Sequence, residues 1–479
     1  MPASSLFSGY DPEKNFCETT NKAVGGRSNP LAKKLSRFSL RALNQRNKAA
    51  ERELHNLGIT FTVYSDAGAI DRILPFDPLP RQISASDWKT IDTGCRQRVA
   101  ALNAFLADVY GKQQILKDGV VPRALVTRNK HFRKEMLGVK LPHNTYTHIA
   151  GVDLIRDEKG EFLVLEDNCR APSGVSYVIE NRHLMMRSFP DLMAGVKIQP
   201  VSDYGKRLRG KLEETSPLRV QNPSIVLLTP GVFNSAYFEH VFLAREMGVP
   251  LVEGRDLVVD EKDRVFMKTI SGLERVHTIY RRIDDDFLDP EVYREDSMLG
   301  TPGLMRAYRS GKVSIANAVG AGVADDKAVY AYMPRIIDYY LNEESILNNV
   351  RTYICREKED LAYVLDHLEE LVVKPVGESG GYGIVVGPKA SKAEIAGVRR
   401  AIKKRPSNYI AQPMINLSVC PTLTDSGVRP RHVDLRPFVL TGETSWTLPG
   451  GLTRVAMREG SIVVNSSQGG GSKDTWVMR

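Results

Sequence analysis

The stretch GVDLIRDEKGEFLVLEDNCRAPSG, Gly151 to Gly174, holds three residues suited to a hard cation. Glu166 and Asn168 are two apart in an alternating run, so a strand puts both on one face. Asp153 lies in the alternating run before it, and the turn DEKGE joins the two runs as an antiparallel hairpin. Two carboxylates and an amide oxygen suit Mg2+, which keeps waters and takes further ligands from phosphates. The plainer reading is a polar hairpin on the outer face of a sheet. Arg170, directly after, is placed to meet an anion beside such a metal. Cys169 is read as structural, because no histidine is seen arranged to activate it.

A second stretch, LVVKPVGESGGYGIVVG from Leu371 to Gly387, reads as a strand, a glycine-rich turn and a second strand. Lys374 sits in mid-strand, and a lysine is rarely buried without a partner. Gly377, Gly380, Gly381 and Gly383 let backbone N–H groups approach phosphate oxygens with no Cβ in the way. The pattern is neither a P-loop nor a dinucleotide fingerprint. Downstream, YIAQPMI with Gln412 is an extended segment that offers backbone groups to an adenine edge. Lys327 opens a helical pattern and by itself reads as a surface lysine. Asp434 and Arg436 share a strand face in DLRPFV. Arg454, Asn465 and the cluster Gly469, Gly470 and Gly471 belong to polar segments that handle anions or simply turn at the surface.

The elements that must position these residues follow from periodicity and punctuation. Residues 1–30 read as irregular and are followed by helical patterning to about Leu57. GITFTVYS is a strand, and residues 86–111 a helix with Ser86 at its N-cap. SIVLLTPG, SAYFEHVFLAREMG and PLVEG form a β-α-β unit and hence a parallel subdomain, which HTIYRRID and KVSIANAVG extend. Helices dominate from Asp326 to Glu370. The lysine hairpin, the helix SKAEIAGVRRAIKK and the strands NYIAQPMI and RHVDLRPFVL follow.

The 479 residues suffice for two or three domains with a substantial core. No apolar run spans a bilayer, and MPASSLFSGYDPEKN lacks the layout of a signal peptide. The five cysteines are scattered without a Cys-x-x-Cys, so neither zinc ribbon nor disulfide framework is indicated. A cytoplasmic location is expected. The net charge of +9 is uneven: Lys22 to Ala50 holds eight basic residues and no acidic one. Leu31, Leu35, Phe38, Ala42 and Leu43 recur there at helical spacing. That describes a helix docked by its apolar face, with attraction to an anionic partner or membrane surface as the alternative. No motif supports specific nucleic-acid binding.

Together these residues resemble the ATP-grasp superfamily. Its usual order is a first lysine, a second lysine on a strand, a glycine-rich lid, a hinge strand, a D-x-R-x-F strand, and an acidic residue followed by E-x-N. Lys327, Lys374, SGGYGI, IAQPMI, DLRPF and VLEDN match those parts, but VLEDN comes first. The chain therefore looks like the circularly permuted ATP-grasp type 2 family, similar to the synthetase part of glutathionylspermidine synthase. The resemblance covers nearly the whole chain after the first sixty or so residues.

It implies an α/β fold of α+β lobes with a β-α-β substrate-side subdomain. The expected parts are a basic N-terminal segment (1–60), a metal-binding lobe (61–221), the β-α-β subdomain (222–325) and an ATP-binding lobe (326–479). It implies ATP with two Mg2+ ions on Asp153, Glu166 and Asn168. Lys327, Lys374, Gly380, Gly381, Tyr382, Gly383 and Gln412 would serve the nucleotide. Arg170 and Arg436 would be catalytic, and Arg454 and Asn465 would meet the nucleotide or acceptor. The implied reaction joins a small-molecule or peptide carboxylate to an amine through an acyl phosphate. A small-molecule phosphotransferase and an inactive nucleotide-binding module are the alternatives. No separate N-terminal amidase domain of the bifunctional enzymes is seen, and no motif carries their polyamine or glutathione specificity.

Overall fold

A computed structural model describes residues 6–7, 9–20, 30–35, 37–65, 68–217, 220–376, 383–461, 464 and 469–479. The acidic hairpin lies inside a ten-stranded sheet. The main path of that sheet runs Asn348–Asn349, Phe162–Asn168, Ile149–Arg156, Gly427–Arg436, Leu452–Val455, Gly471–Val477 and Phe76–Ile83. Ile149–Arg156 is buried along its whole length, although its sequence alternates. The cause is its central place, between Phe162–Asn168 on one side and Gly427–Arg436 with Phe438–Thr441 on the other. Ala150, Val152 and Leu154 pack against Trp88, Ile91, Cys95 and Val99 of the helix Ala85–Val109. The alternate positions, Gly151 and Asp153, therefore turn to the opposite face.

The cap of that long helix differs from the sequence reading. Ser84, not Ser86, is the N-cap: its backbone is extended and its hydroxyl accepts from Asp87 N at 3.0 Å. Ser86 is already helical, and its hydroxyl lies 3.0 Å from that of Ser84.

The lysine hairpin belongs to a separate four-stranded sheet, ordered Tyr353–Ile354, Tyr409–Pro413, Leu371–Pro375 and Val385–Val386. The helices Lys358–Asp366 and Lys392–Lys404 cover it through Val364, Ile395, Val398 and Ile402. A third sheet contains the parallel strands Ile225–Leu228, Leu251–Val252, Thr278–Arg281 and Ser314–Ala316. Its helix Tyr237–Met247 stops at Gly248, whose φ of 64° is the left-handed conformation glycine adopts readily. A three-stranded meander, Leu257–Val259, Val265–Thr269 and Gly272–Val276, extends this subdomain.

The expected division at 325/326 does not follow the sheets. Residues 353–413 supply the lysine sheet, whereas strands between 419 and 477 join those of 76–168. Antiparallel pairing of Val433–Arg436 with Leu452–Val455, and of Leu435 with Leu154, draws the C-terminal strands to the acidic hairpin.

The basic helix Leu40–Asn56 docks through Leu43, Ala50 and Leu54, and Arg46 pairs with Asp191 at 3.0 Å. Upstream, residues 16–18 are built into the body. Phe16 O accepts from Val419 N at 2.8 Å, and Arg156 stacks 4.2 Å from the Phe16 ring. Glu18 pairs with Arg81 at 2.7 Å, both side chains being 1% exposed. No helix among the described residues is long and apolar enough to cross a membrane.

Removing one partner of a buried ion pair strands the other charge. Glu18→Ala is expected to cost about 3–5 kcal/mol, read as a lowered denaturant midpoint. A midpoint equal to wild type would refute this role for the N-terminal segment.

Candidate active site

The hairpin register places Asp153 directly opposite Glu166, and Gly151 opposite Asn168. Glu166 and Asn168 share the face of Asp153. Asp167, between them, faces the long helix and forms a buried pair with Arg98 at 2.6 Å. The triplet EDN thus divides its work: one carboxylate anchors the strand, while the flanking side chains face the cleft.

Asp153 is 1% exposed and meets two guanidinium groups. Arg436 donates to it through Nε at 2.5 Å and Nη2 at 2.8 Å, and Arg454 through Nη2 at 2.7 Å. Burial alone would raise its pKa, but the two arginines outweigh that and hold it below the ordinary carboxylate value. Asn168 Nδ2 lies 3.4 Å from Asp153 Oδ1, which leaves the amide oxygen of Asn168 for other partners. Glu166 stays accessible at 31% exposure, 3.4 Å from Lys327 and 4.0 Å from Arg436. Arg454 is buried between Asp153 and Asp434 and does not present its charge to the cleft. This differs from its expected place at the nucleotide or acceptor, because two carboxylates already hold it.

Lys327 is the first residue of the helix Lys327–Ala331, which Asp326 caps by accepting from Ala328 N at 2.8 Å. Lys374 donates to Gln412 Oε1 at 2.6 Å, and Gln412 Nε2 donates to Thr352 Oγ1 at 2.8 Å. Gln412 is therefore a side-chain brace for the lysine. Among the described residues, Lys374 has no carboxylate within ion-pair distance. Burial pushes its pKa down to about 8; Glu166 opposes that shift and Lys327 adds to it. Lys374 thus lies within the electrostatic reach of both Glu166 and Lys327. The acidic hairpin and the lysine strand, about two hundred residues apart in sequence, thus come close to one another across the cleft.

Gly383 has φ 71°, and a Cβ there would come 3.1 Å from Pro375 Cγ, so glycine fits this turn. Gly380, Gly381, Tyr382 and Asn465 lie outside the described residues. Cys169 is buried and its thiol is pushed well above the usual range by burial, which fits a structural residue.

Beside the hairpin is a cavity of about 430 Å3, lined by Asn168, Arg170, Asn234, Arg282, Asp284 and Asp325 among others. Arg170 pairs with Asp325 at 2.6 Å and Asp284 at 3.3 Å. The cavity joins the cleft to the parallel-sheet subdomain.

Sequence reading missed Asn317, which fixes the hairpin to that subdomain. Its Oδ1 accepts from His148 N and Ile149 N at 2.7 and 2.8 Å. Its Nδ2 donates to the carbonyls of Ile149, Cys169 and Arg170 at 2.6, 2.7 and 3.1 Å. The one signal was a polar side chain within the apolar run SIANAV. Arg281 supports it by donating to Asn317 O at 2.7 Å.

Facing lobes that bring an acidic hairpin and a lysine strand to one cleft define an ATP-grasp fold. The chain belongs to the circularly permuted ATP-grasp type 2 family, which matches residues 80–456. An uncharacterized protein of Synechocystis is 52% identical over 474 residues, 98% of each chain. A Frankia casuarinae protein named "Putative glutamate--cysteine ligase 2-2" is 42% identical over 458 residues, 95% of this chain and 53% of its own. A glutathione synthetase-like effector from Globodera pallida shares the fold, with a TM-score of 0.61 at 10% identity over 92% of this chain and 98% of its own.

Asn317→Ala would leave two buried N–H groups and three carbonyls short of a partner. At about 1–3 kcal/mol for each unsatisfied group, it is expected to destabilise the protein measurably and to speed amide exchange at Ile149. Unchanged exchange at Ile149 would rule out the brace.

Proposed function

We propose that the protein is an ATP- and Mg2+-dependent ligase that joins a carboxylate to an amine. The observation that carries this reading is the ammonium of Lys374. Its pKa is lowered to about 8 by burial, it has no carboxylate within ion-pair distance among the described residues, and it lies within the electrostatic reach of Glu166 and Lys327. A phosphate would supply the missing negative charge.

The residues fit the implied groups. Lys327 and Lys374 would hold phosphate oxygens, with Gln412 keeping Lys374 in place. Glu166 and the amide oxygen of Asn168 would hold Mg2+, since their oxygens share the open face and suit a hard cation. Asp153 would join them only by giving up an arginine contact; otherwise it orients Arg436. Mg2+ supplies charge neutralisation at the phosphates.

A substrate carboxylate in the adjoining cavity would bond to the γ-phosphorus of ATP. The bond to the bridging oxygen then breaks, and ADP leaves with the electron pair. The amine nitrogen would next bond to the acyl carbon, releasing phosphate and a proton. Arg170 and Arg436 are cations placed to steady charge on the acyl phosphate. The ligase name of the Frankia protein supports the class. That name belongs to a protein about twice as long as its matched part, so its two substrates are not transferred here.

ADP release stimulated jointly by a carboxylate and an amine tests the reading. Stable phosphorylated product with no amine present would instead identify a phosphotransferase. Glu166→Gln, which keeps size and removes charge, is expected to lower turnover at least a hundredfold; retained turnover at ordinary Mg2+ would remove Glu166 from the site.

The lysine gives a pH signature. Bound phosphate favours the charged ammonium and so raises a pKa that stands at about 8 in the free protein. ATP binding at pH 8–9 should therefore take up protons, visible by calorimetry in buffers of different ionisation enthalpy. Lys374→Met should abolish that uptake and weaken ATP at least tenfold, about 1.4 kcal/mol. Proton uptake that survives the substitution would locate the effect elsewhere.

A further inference from the structure

The cavity beside Arg170 adjoins a second groove, and Asn234 lines both. The groove has a volume of about 350 Å3 and is walled by Leu57, Thr60, Val232, Phe238, Val241 and Phe242 among others. Leu57, Val232 and Val241 are 55%, 61% and 42% exposed. Large apolar side chains gathered on a surface mark a binding face more often than scattered ones do. The floor is fixed by aromatic packing: Phe238 lies 6.0 Å from Tyr177 and 5.9 Å from Phe242 between ring centroids. Tyr177 donates to Thr60 O at 2.9 Å, which holds the N-terminal segment against this wall.

The cavity end has a different chemistry. Arg282 is 5% exposed; its Nη1 donates to Pro172 O at 2.7 Å and its Nη2 to Glu239 at 3.0 Å. Its buried Nε has no hydrogen-bond partner among the described residues. A guanidinium N–H can only donate, so it calls for an acceptor oxygen. Arg170 adds a second guanidinium on the same cavity, paired there with Asp325 and Asp284.

We infer that the carboxylate substrate is a peptide with an apolar C-terminal stretch. Its terminal carboxylate enters the cavity toward Arg170 and Arg282, and its preceding side chains lie in the groove. A free amino acid would reach the cavity and leave the groove empty. The proposal rests on the ligase reading for turnover but not for binding, so the two can be tested apart.

Calorimetry on the full chain would compare acetyl-Leu-Phe-Leu-Ala, its C-terminal amide and N-acetylalanine. The acid peptide is expected to bind at least tenfold tighter than either of the others. Val241→Asp and, on the adjacent loop, Val232→Asp should each weaken the acid peptide at least tenfold and leave ATP affinity unchanged. Val292→Asp, at a 39% exposed site outside the groove lining, should change nothing. Equal binding of peptide and N-acetylalanine, equal binding of acid and amide, or indifference to both groove variants would each overturn the inference. Peptide binding as expected without any stimulated ADP release would overturn the ligase reading and leave the groove standing. Release driven by free amino acids with the peptide inert would do the reverse.

Discussion

Two arginines and two aspartates form the buried centre on which the cleft depends. Asp153 accepts from Arg436 and Arg454, and Arg454 returns to Asp434. Desolvation works against every one of these charges, so each is tolerable only while its partners stay in place. Asp434 shows the tension: burial raises its pKa even with Arg454 beside it. The four residues lie on three strands, Ile149–Arg156, Gly427–Arg436 and Leu452–Val455, which the chain supplies from widely separated segments. The network therefore selects the pairing that brings the C-terminal strands to the acidic hairpin. It also leaves Glu166 and Asn168 at the edge of the buried charge, where solvent and ligands can reach them.

The same geometry makes the altered order of parts physically neutral. Phe76–Ile83 pairs in parallel with Gly471–Val477, so two strands near opposite ends of the chain are neighbours in one sheet. Strands that pair this way stay neighbours whichever of them comes first, so the order of parts can change without moving the side chains around the cleft. What must be kept is the docking of each piece. Here Asn317 and Arg281 hold the parallel subdomain to the hairpin through backbone carbonyls and amides, whose geometry any sequence can supply. Glu239 does the same for the following turn, accepting from Gly174 N and Ser176 N while it pairs with Arg282.

Charge is graded across the site. Deep in the large sheet, arginine and aspartate compensate each other almost fully. Toward the lysine sheet the compensation thins, from Lys327 beside Glu166 to Lys374, which among the described residues has only the neutral Gln412 in hydrogen-bond contact. That gradient is what the proposed phosphate contact of Lys374 rests on.

Local features were legible from sequence because they rest on local rules. The alternation around Asp153, Glu166 and Asn168 announced the hairpin and its shared face. The β-α-β pattern with its glycine stop announced the parallel subdomain, and the apolar run around Lys374 announced its strand. What the sequence could not carry was pairing between distant segments. Arg436 and Arg454 both looked like anion contacts, since nothing local says that Asp153 and Asp434 will hold Arg454 in the interior. Asn317 showed only as a polar side chain in an apolar run, because its role lies in five backbone groups from another part of the chain. Residues 16–18 are irregular, as read, but their docking was not legible because the partners of Glu18 and Phe16 come from Arg81, Arg156 and Val419. Periodicity of two or 3.6 fixes which way a side chain faces within its own element. What that side chain then meets is set by long-range packing, and only the folded chain decides which charges are neutralised and which are left for a ligand.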